Sequence, residues 1–137
     1  MKRSLYESGQ AMIEYALTAV VFFAMLLFVV DGGRVLFNYV TVNQVAQAGA
    51  RYGITHGASS LAPVGSANYT ALQQHALGWA TGLNQADLTI AATWSPDNQP
   101  GSTVSVNVTY IGRSVTGLFW RGQTLTLRGK STMVIQF

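Results

Sequence analysis

Few side chains in this sequence could transfer a proton or ligate a metal. There are two histidines, His56 and His75, five Asp and Glu residues, and no cysteine. A closed metal centre needs three or four ligands, and acid–base catalysis needs a base with an orienting partner or a second carboxylate. His75 and Asp87 are the one pair to consider, and nothing around them supplies the remaining ligands. His75 is read as a surface residue of a short helix. Gly-rich phosphate loops, nucleophile elbows and zinc-protease motifs are absent. Without cysteine there is no disulfide, thiolate site or thiol nucleophile, which permits an oxidising location without requiring one. The expectation is a protein without a catalytic site, metal or cofactor.

Glu14 is the exception. It is the only charged residue between Ala11 and Val30, a run of twenty residues and about 30 Å of helix, one bilayer core thick. A carboxylate at the centre of such a span costs about 2.5–3.5 kcal/mol on insertion scales, and less near an edge. Two explanations stand side by side: Glu14 reaches back to the aqueous edge, or it has a partner that appears only on assembly. A removed signal peptide fits poorly, since the run is too long and ends in Val29-Val30-Asp31-Gly32-Gly33-Arg34 without a small-x-small site. Lys2 and Arg3 precede the run, which sets the N-terminus in the cytoplasm and the remainder outside. Glu7 and Arg34 weaken that bias.

The elements that must position these residues follow from periodicity. Gly32-Gly33 predicts a kink or hinge where the chain leaves the membrane. Beyond it, Val35, Tyr39, Val42, Ala46, Gly49 and Gly53 form one helical stripe, with Arg34, Asn38, Thr41, Gln44 and Arg51 mostly opposite. The stripe dwindles to Ala46, Gly49, Ala50 and Gly53, so a partner can approach the backbone closely there. That partner is the chain's own outer domain, a neighbouring subunit, or both. Residues 55–68 read as a loop, and a short helix is predicted over 69–83.

The period then changes to two. Leu88, Ile90, Ala92 and Trp94 alternate with polar or small residues, as do Val104, Val106, Val108 and Tyr110. In the last stretch Leu125, Leu127, Met133, Ile135 and Phe137 share one face, which predicts a single long strand bulged at Gly129. The fold class is α+β: a long N-terminal helix, then a short helix packed on an antiparallel sheet of about three strands. The outer domain is expected to fold by itself, shielding Trp79 and Trp94. Leu118-Phe119-Trp120, flanked by Arg113 and Arg121, either folds onto the sheet or forms a contact patch. Charged residues make up only 9% of the chain, and the basic ones are scattered, which argues against nucleic-acid binding.

"GQAMIEYAL", Gly9 to Leu17, resembles the processing and assembly motif of type IV pilin-like proteins in the form used by the tight-adherence (Tad, or Flp) pilus. There a short basic leader ends in Gly, four residues follow, then Glu-Tyr at the start of a long apolar helix. Asp31-Gly32-Gly33-Arg34 and Ala46-Gln47-Ala48-Gly49-Ala50-Arg51-Tyr52 are similar to segments of the TadE family. The resemblance implies a leader over 1–9, cleavage between Gly9 and Gln10, an assembly role for Glu14 and Tyr15, and a transmembrane helix over 10–30. Residues 31–137 would form the extracytoplasmic part, larger than the major pilins of the system, which suggests a minor pilin or pseudopilin. The implied partners are a prepilin peptidase, the major Flp-type pilin, other minor pilins, the membrane assembly platform and inner-membrane lipid. The alternative is an uncleaved, single-pass membrane anchor carrying a binding domain.

Overall fold

The computed structural model describes residues 3–113 and 123–136, with side chains from residue 9 onward. One helix, α1 (Arg3–Thr55), spans 53 residues and about 80 Å. A second helix, α2 (Thr70–Leu77), follows a loop, and three strands complete the fold: β1 (Leu88–Ser95), β2 (Thr103–Arg113) and β3 (Thr124–Val134). The strands form one antiparallel sheet in the order β1-β2-β3. The architecture is the α+β arrangement that the change of period implied. The segment carrying Leu118-Phe119-Trp120 and Arg121, and the terminal Phe137, lie outside the described residues.

The alternation in the strands is what makes a single core. Val104, Val106, Val108 and Tyr110 turn one face of β2 inward, joined by Ile90 and Ala92 from β1 and by Leu127 and Ile135 from the C-terminal stretch. Polar residues occupy the other face, where the hydroxyls of Ser105 and Thr132 pair across the strands. Both helices pack on the apolar face. Val42, Val45, Ala46 and Ala50 of α1 are fully buried, as are Leu72 and Ala76 of α2. The amide of Gln73 ties α2 to the sheet by donating to the Ile90 carbonyl at 3.0 Å.

Small residues set how closely α1 lies on this sheet. A Cβ at Gly49 would meet Val106, Leu72 and Ala76 at 3.1–3.5 Å, and one at Gly53 would meet Val104 at 3.1 Å. From the sheet side, a Cβ at Gly129 would come within 2.8 Å of the Val42 carbonyl oxygen. Gly129 therefore admits the helix backbone rather than producing a bulge. The β2–β3 register runs through it without interruption, Val108 opposite Gly129 and Asn107 opposite Lys130.

Four further expectations are corrected. The helix runs unbroken through Gly32-Gly33. Each glycine costs only about 1 kcal/mol relative to Ala, and helical residues on both sides propagate across the pair. Asn38 and Thr41 are buried, not outward-facing, and Tyr39 is about half exposed. The Val42–Gly129 contact fixes the rotation of α1, and the Thr41 hydroxyl remains satisfied by donating to the Phe37 carbonyl at 2.9 Å. The short helix stops at Leu77, because the chain passes into turns through Gly78 and through Gly82 at φ +76°. Trp79, just past that helix end, is 55% exposed; Trp94 is half-buried, its ring beside Tyr69.

Substitution of Gly129 by Ala is expected to force helix and sheet apart and cost about 1–3 kcal/mol, as over-packing does. Gly65→Ala, whose added Cβ meets nothing closer than 3.7 Å, should stay within about 0.5 kcal/mol. Unfolding of the full chain in detergent micelles, followed by near-ultraviolet circular dichroism, measures both. Equal midpoints would refute the close-approach role of Gly129.

Candidate assembly and processing site

Leu, Ala, Val, Met and Phe dominate residues 11–30; Leu, Ala and Met favour helix, and an apolar surrounding enforces it by leaving the backbone no other hydrogen-bond partners. Among the described residues nothing covers this run. Met12 is 75% exposed and Tyr15 83%, and Ile13, Leu17, Val20, Phe22, Phe23, Met25 and Phe28 are all more than half exposed. Among the described residues α1 is the one helix long and apolar enough to cross a membrane, with a mean hydropathy of 2.4 in its most apolar stretch. Large apolar side chains left bare over some 30 Å need a non-aqueous surrounding, lipid or other apolar helices.

The candidate site lies at the start of this run. Gly9 and Gln10 are exposed within α1, and a Cβ at Gly9 would meet nothing within 4 Å. Gln10 and Glu14 are one turn apart and therefore share a helix face. Ala11, Glu14, Tyr15, Thr18, Ala19 and Phe22 line a shallow groove along the helix. The two alanines lower its floor, with Tyr15 and Phe22 as its tall walls. Glu14 projects from this groove, and the Thr18 hydroxyl donates to the Glu14 carbonyl at 2.8 Å. A second, almost wholly apolar groove around Ala24 follows, lined by Val20, Val21, Met25, Phe28 and Val29. Such grooves admit a neighbouring helix closely, and the first of them is lined by the one charged residue of the span.

At the other end of the run Asp31 is 5% exposed, while Gly33 and Arg34 are exposed. Ala46, Gly49, Ala50 and Gly53 lie in the contact with α2 and the sheet described above. The bare stretch and the packed stretch are thus two parts of one helix.

These segments match a known family model over residues 9–51, the TadE-like proteins. Over this N-terminal third the chain is similar to the TadE-like proteins. The match begins at Gly9 and ends at Arg51, so it takes in both the exposed run with Glu14 and the small-residue stretch that meets the sheet. It associates the chain with the Tad pilus, whose TadE-like components are typically structural rather than enzymatic. No curated protein and no solved structure matches the chain.

Among the described residues no three His, Asp or Glu side chains gather as a metal site requires. Asp87 accepts from the Arg113 guanidinium at 3.2 Å and from the Asn84 amide at 2.9 Å. Asp97 is held below the ordinary carboxylate range by the Ser102 hydroxyl and then by the Gln99 backbone N–H. His56 and His75 both stack on Tyr52, at ring separations of 3.9 and 4.9 Å. The Tyr52–His56 spacing of four was a legible signal for half of this stack; His75 arrives only through the packing of α2.

Because the chain lacks cysteine, single cysteines report cleanly on what surrounds each part of α1 and the sheet. In proteoliposomes Val20→Cys should resist a membrane-impermeant maleimide, whereas Lys130→Cys, on the exposed sheet face, should react. Equal labelling of the two would exclude a membrane-spanning α1.

Proposed function

We propose that the protein is a minor pilin or pseudopilin of a Tad-type pilus, cleaved between Gly9 and Gln10 by a prepilin peptidase. Residues 1–9 are the leader, 10–30 the membrane and assembly helix, and 31–137 the extracytoplasmic part. The helix holds the chain in the inner membrane, N-terminus in the cytoplasm, until the assembly platform draws it into contact with the major pilin and other minor pilins. Asp31 to Arg34 mark the membrane exit. The observation that carries the reading is the division of α1. Its distal part is built into the chain's own domain, while its proximal part stands bare with a carboxylate in an apolar groove.

Chemistry supports cleavage as the trigger. A new α-amino group on Gln10 would carry a positive charge one turn before Glu14. In a staggered bundle, each Glu14 meets the Gln10 amine of a neighbour, and Tyr15 packs beside it. The pair sheds the cost of a carboxylate in lipid only at the correct stagger, as a buried polar residue fixes register in a coiled coil. Gly9 suits the scissile position for two reasons. It lacks a side chain that would obstruct a peptidase, and it weakens the helix by about 1 kcal/mol relative to Ala where the strand must be extended.

Processing is tested first. Co-expressed with the peptidase, the chain should lose nine residues and begin at Gln10, and Gly9→Leu should remain full-length in the membrane. Mature-sized protein from Gly9→Leu would sink the cleavage claim, and an uncut wild-type chain would favour the uncleaved membrane-anchored binding domain.

Glu14→Leu separates the assembly role from the alternative that Glu14 merely reaches water. The variant should insert and be cleaved normally, since the scissile bond lies outside the apolar run. It should then accumulate in the membrane and fall at least tenfold in sheared pili, with Glu14→Asp recovering little. Equal incorporation of Glu14→Leu and wild type would end the registration mechanism.

A further inference from the structure

A groove of about 180 Å3 opens between α1 and α2, well away in sequence from the apolar run. Gln44, Gln47, Ala48 and Arg51 line it from one face of α1, and His75 and Trp79 line it from α2 and the turn that follows. Three features set it apart from an ordinary crevice. Arg51 is exposed, and among the described residues its guanidinium has no acceptor; the outer carboxylates Asp87 and Asp97 are engaged elsewhere, with Arg113 and Ser102. Trp79 presents more than half of a large apolar surface to solvent. His75 is held in place, its ring stacked on Tyr52, which stacks in turn on His56.

The lining selects a ligand chemistry. It contains no carboxylate, so a cationic ligand has no counter-charge. Arg51 offers the planar fork that takes a carboxylate in two parallel bonds. Gln44 and Gln47 each donate and accept, as hydroxyl groups do. An acidic peptide could also engage Arg51 and the two amides, but its backbone offers no ring with a C–H face for Trp79. Trp79 supplies a flat apolar wall on which the C–H face of a sugar ring can lie. The volume is below the roughly 300 Å3 at which drug-sized pockets begin, which limits the occupant to about one ring.

We propose that this groove binds a uronate-type acidic sugar, with its carboxylate on Arg51, its hydroxyls on Gln44 and Gln47, and its ring against Trp79. Nothing in this depends on cleavage or on pilus assembly.

The test is ligand-observed saturation-transfer NMR on the full chain in detergent micelles. The probes are trigalacturonate, the neutral galactose trisaccharide, acetate and an acidic tripeptide. Trigalacturonate should bind saturably and at least tenfold more tightly than each of the others. Arg51→Gln should abolish the preference over the neutral sugar, and Trp79→Ala should weaken trigalacturonate at least fivefold, both with unchanged circular dichroism. If Trp79→Ala unfolds, Gln47→Ala, on an exposed helix face, should give a loss of at least threefold. The proposal is overturned by no saturable trigalacturonate binding, by binding that Arg51→Gln leaves intact, or by acetate or the acidic tripeptide binding equally well. Equal binding of the tripeptide would identify the groove as a docking point for a protein.

Discussion

The Val42 carbonyl of α1 lies so close to Gly129 of β3 that no side chain fits between them, and the rest of the molecule is arranged around that approach. It fixes the rotation of the helix about its axis and its height along the sheet. Gly49 and Gly53 extend the close contact by about two and three turns against Val106, Val104 and Leu72. Close-packed interiors respond to a single added methyl group, so three glycines in one seam leave α1 one seating.

The same constraint explains an inversion in the middle of the helix. Asn38 and Thr41 are buried, while Leu36 and Val40 are more than half exposed; Phe37, also more than half exposed, lays its ring against Gly82. An amphipathic helix serving only its own core would place them the other way round. The outward apolar ridge continues the bare run of residues 11–30 beyond Asp31, so the surface of α1 available to lipid or to another subunit is longer than the hydropathy of the span suggests. On the reading as a pilus subunit, that ridge and the Glu14 groove belong to one contact surface, apolar packing giving its strength and the carboxylate its register.

The outer domain adds a different kind of surface. Its sheet face away from the helices is polar, and its carboxylates are committed to local partners, Asp87 to Arg113 and Asp97 to Ser102. Beside Trp79, Arg51 has no acceptor among the described residues. The apolar run of residues 11–30 and the α1 lining of their groove thus occupy different stretches of the same helix.

Much of this was legible in the residues themselves. Periods of 3.6 and two gave the α+β architecture, the strand faces and the single long C-terminal strand, because burial of one face writes its period directly into the sequence. The isolation of Glu14 in a twenty-residue apolar run was equally plain. Other features depended on the tertiary contact. The choice of Asn38 rather than Tyr39 for burial was decided by where the sheet meets the helix, a rotation that one strand of periodic residues leaves undetermined by about 100°. Gly129 could signal a bulge or a close approach, and only the position of Val42 selects the second. The meeting of His75 and Trp79 with Arg51 needed α2 to fold back onto α1 across a loop. Sequence alone determined which residues prefer to be buried, since that preference is a property of each side chain. Which of them actually face the core, and which polar groups are left without a partner, only the packing of helix against sheet could decide.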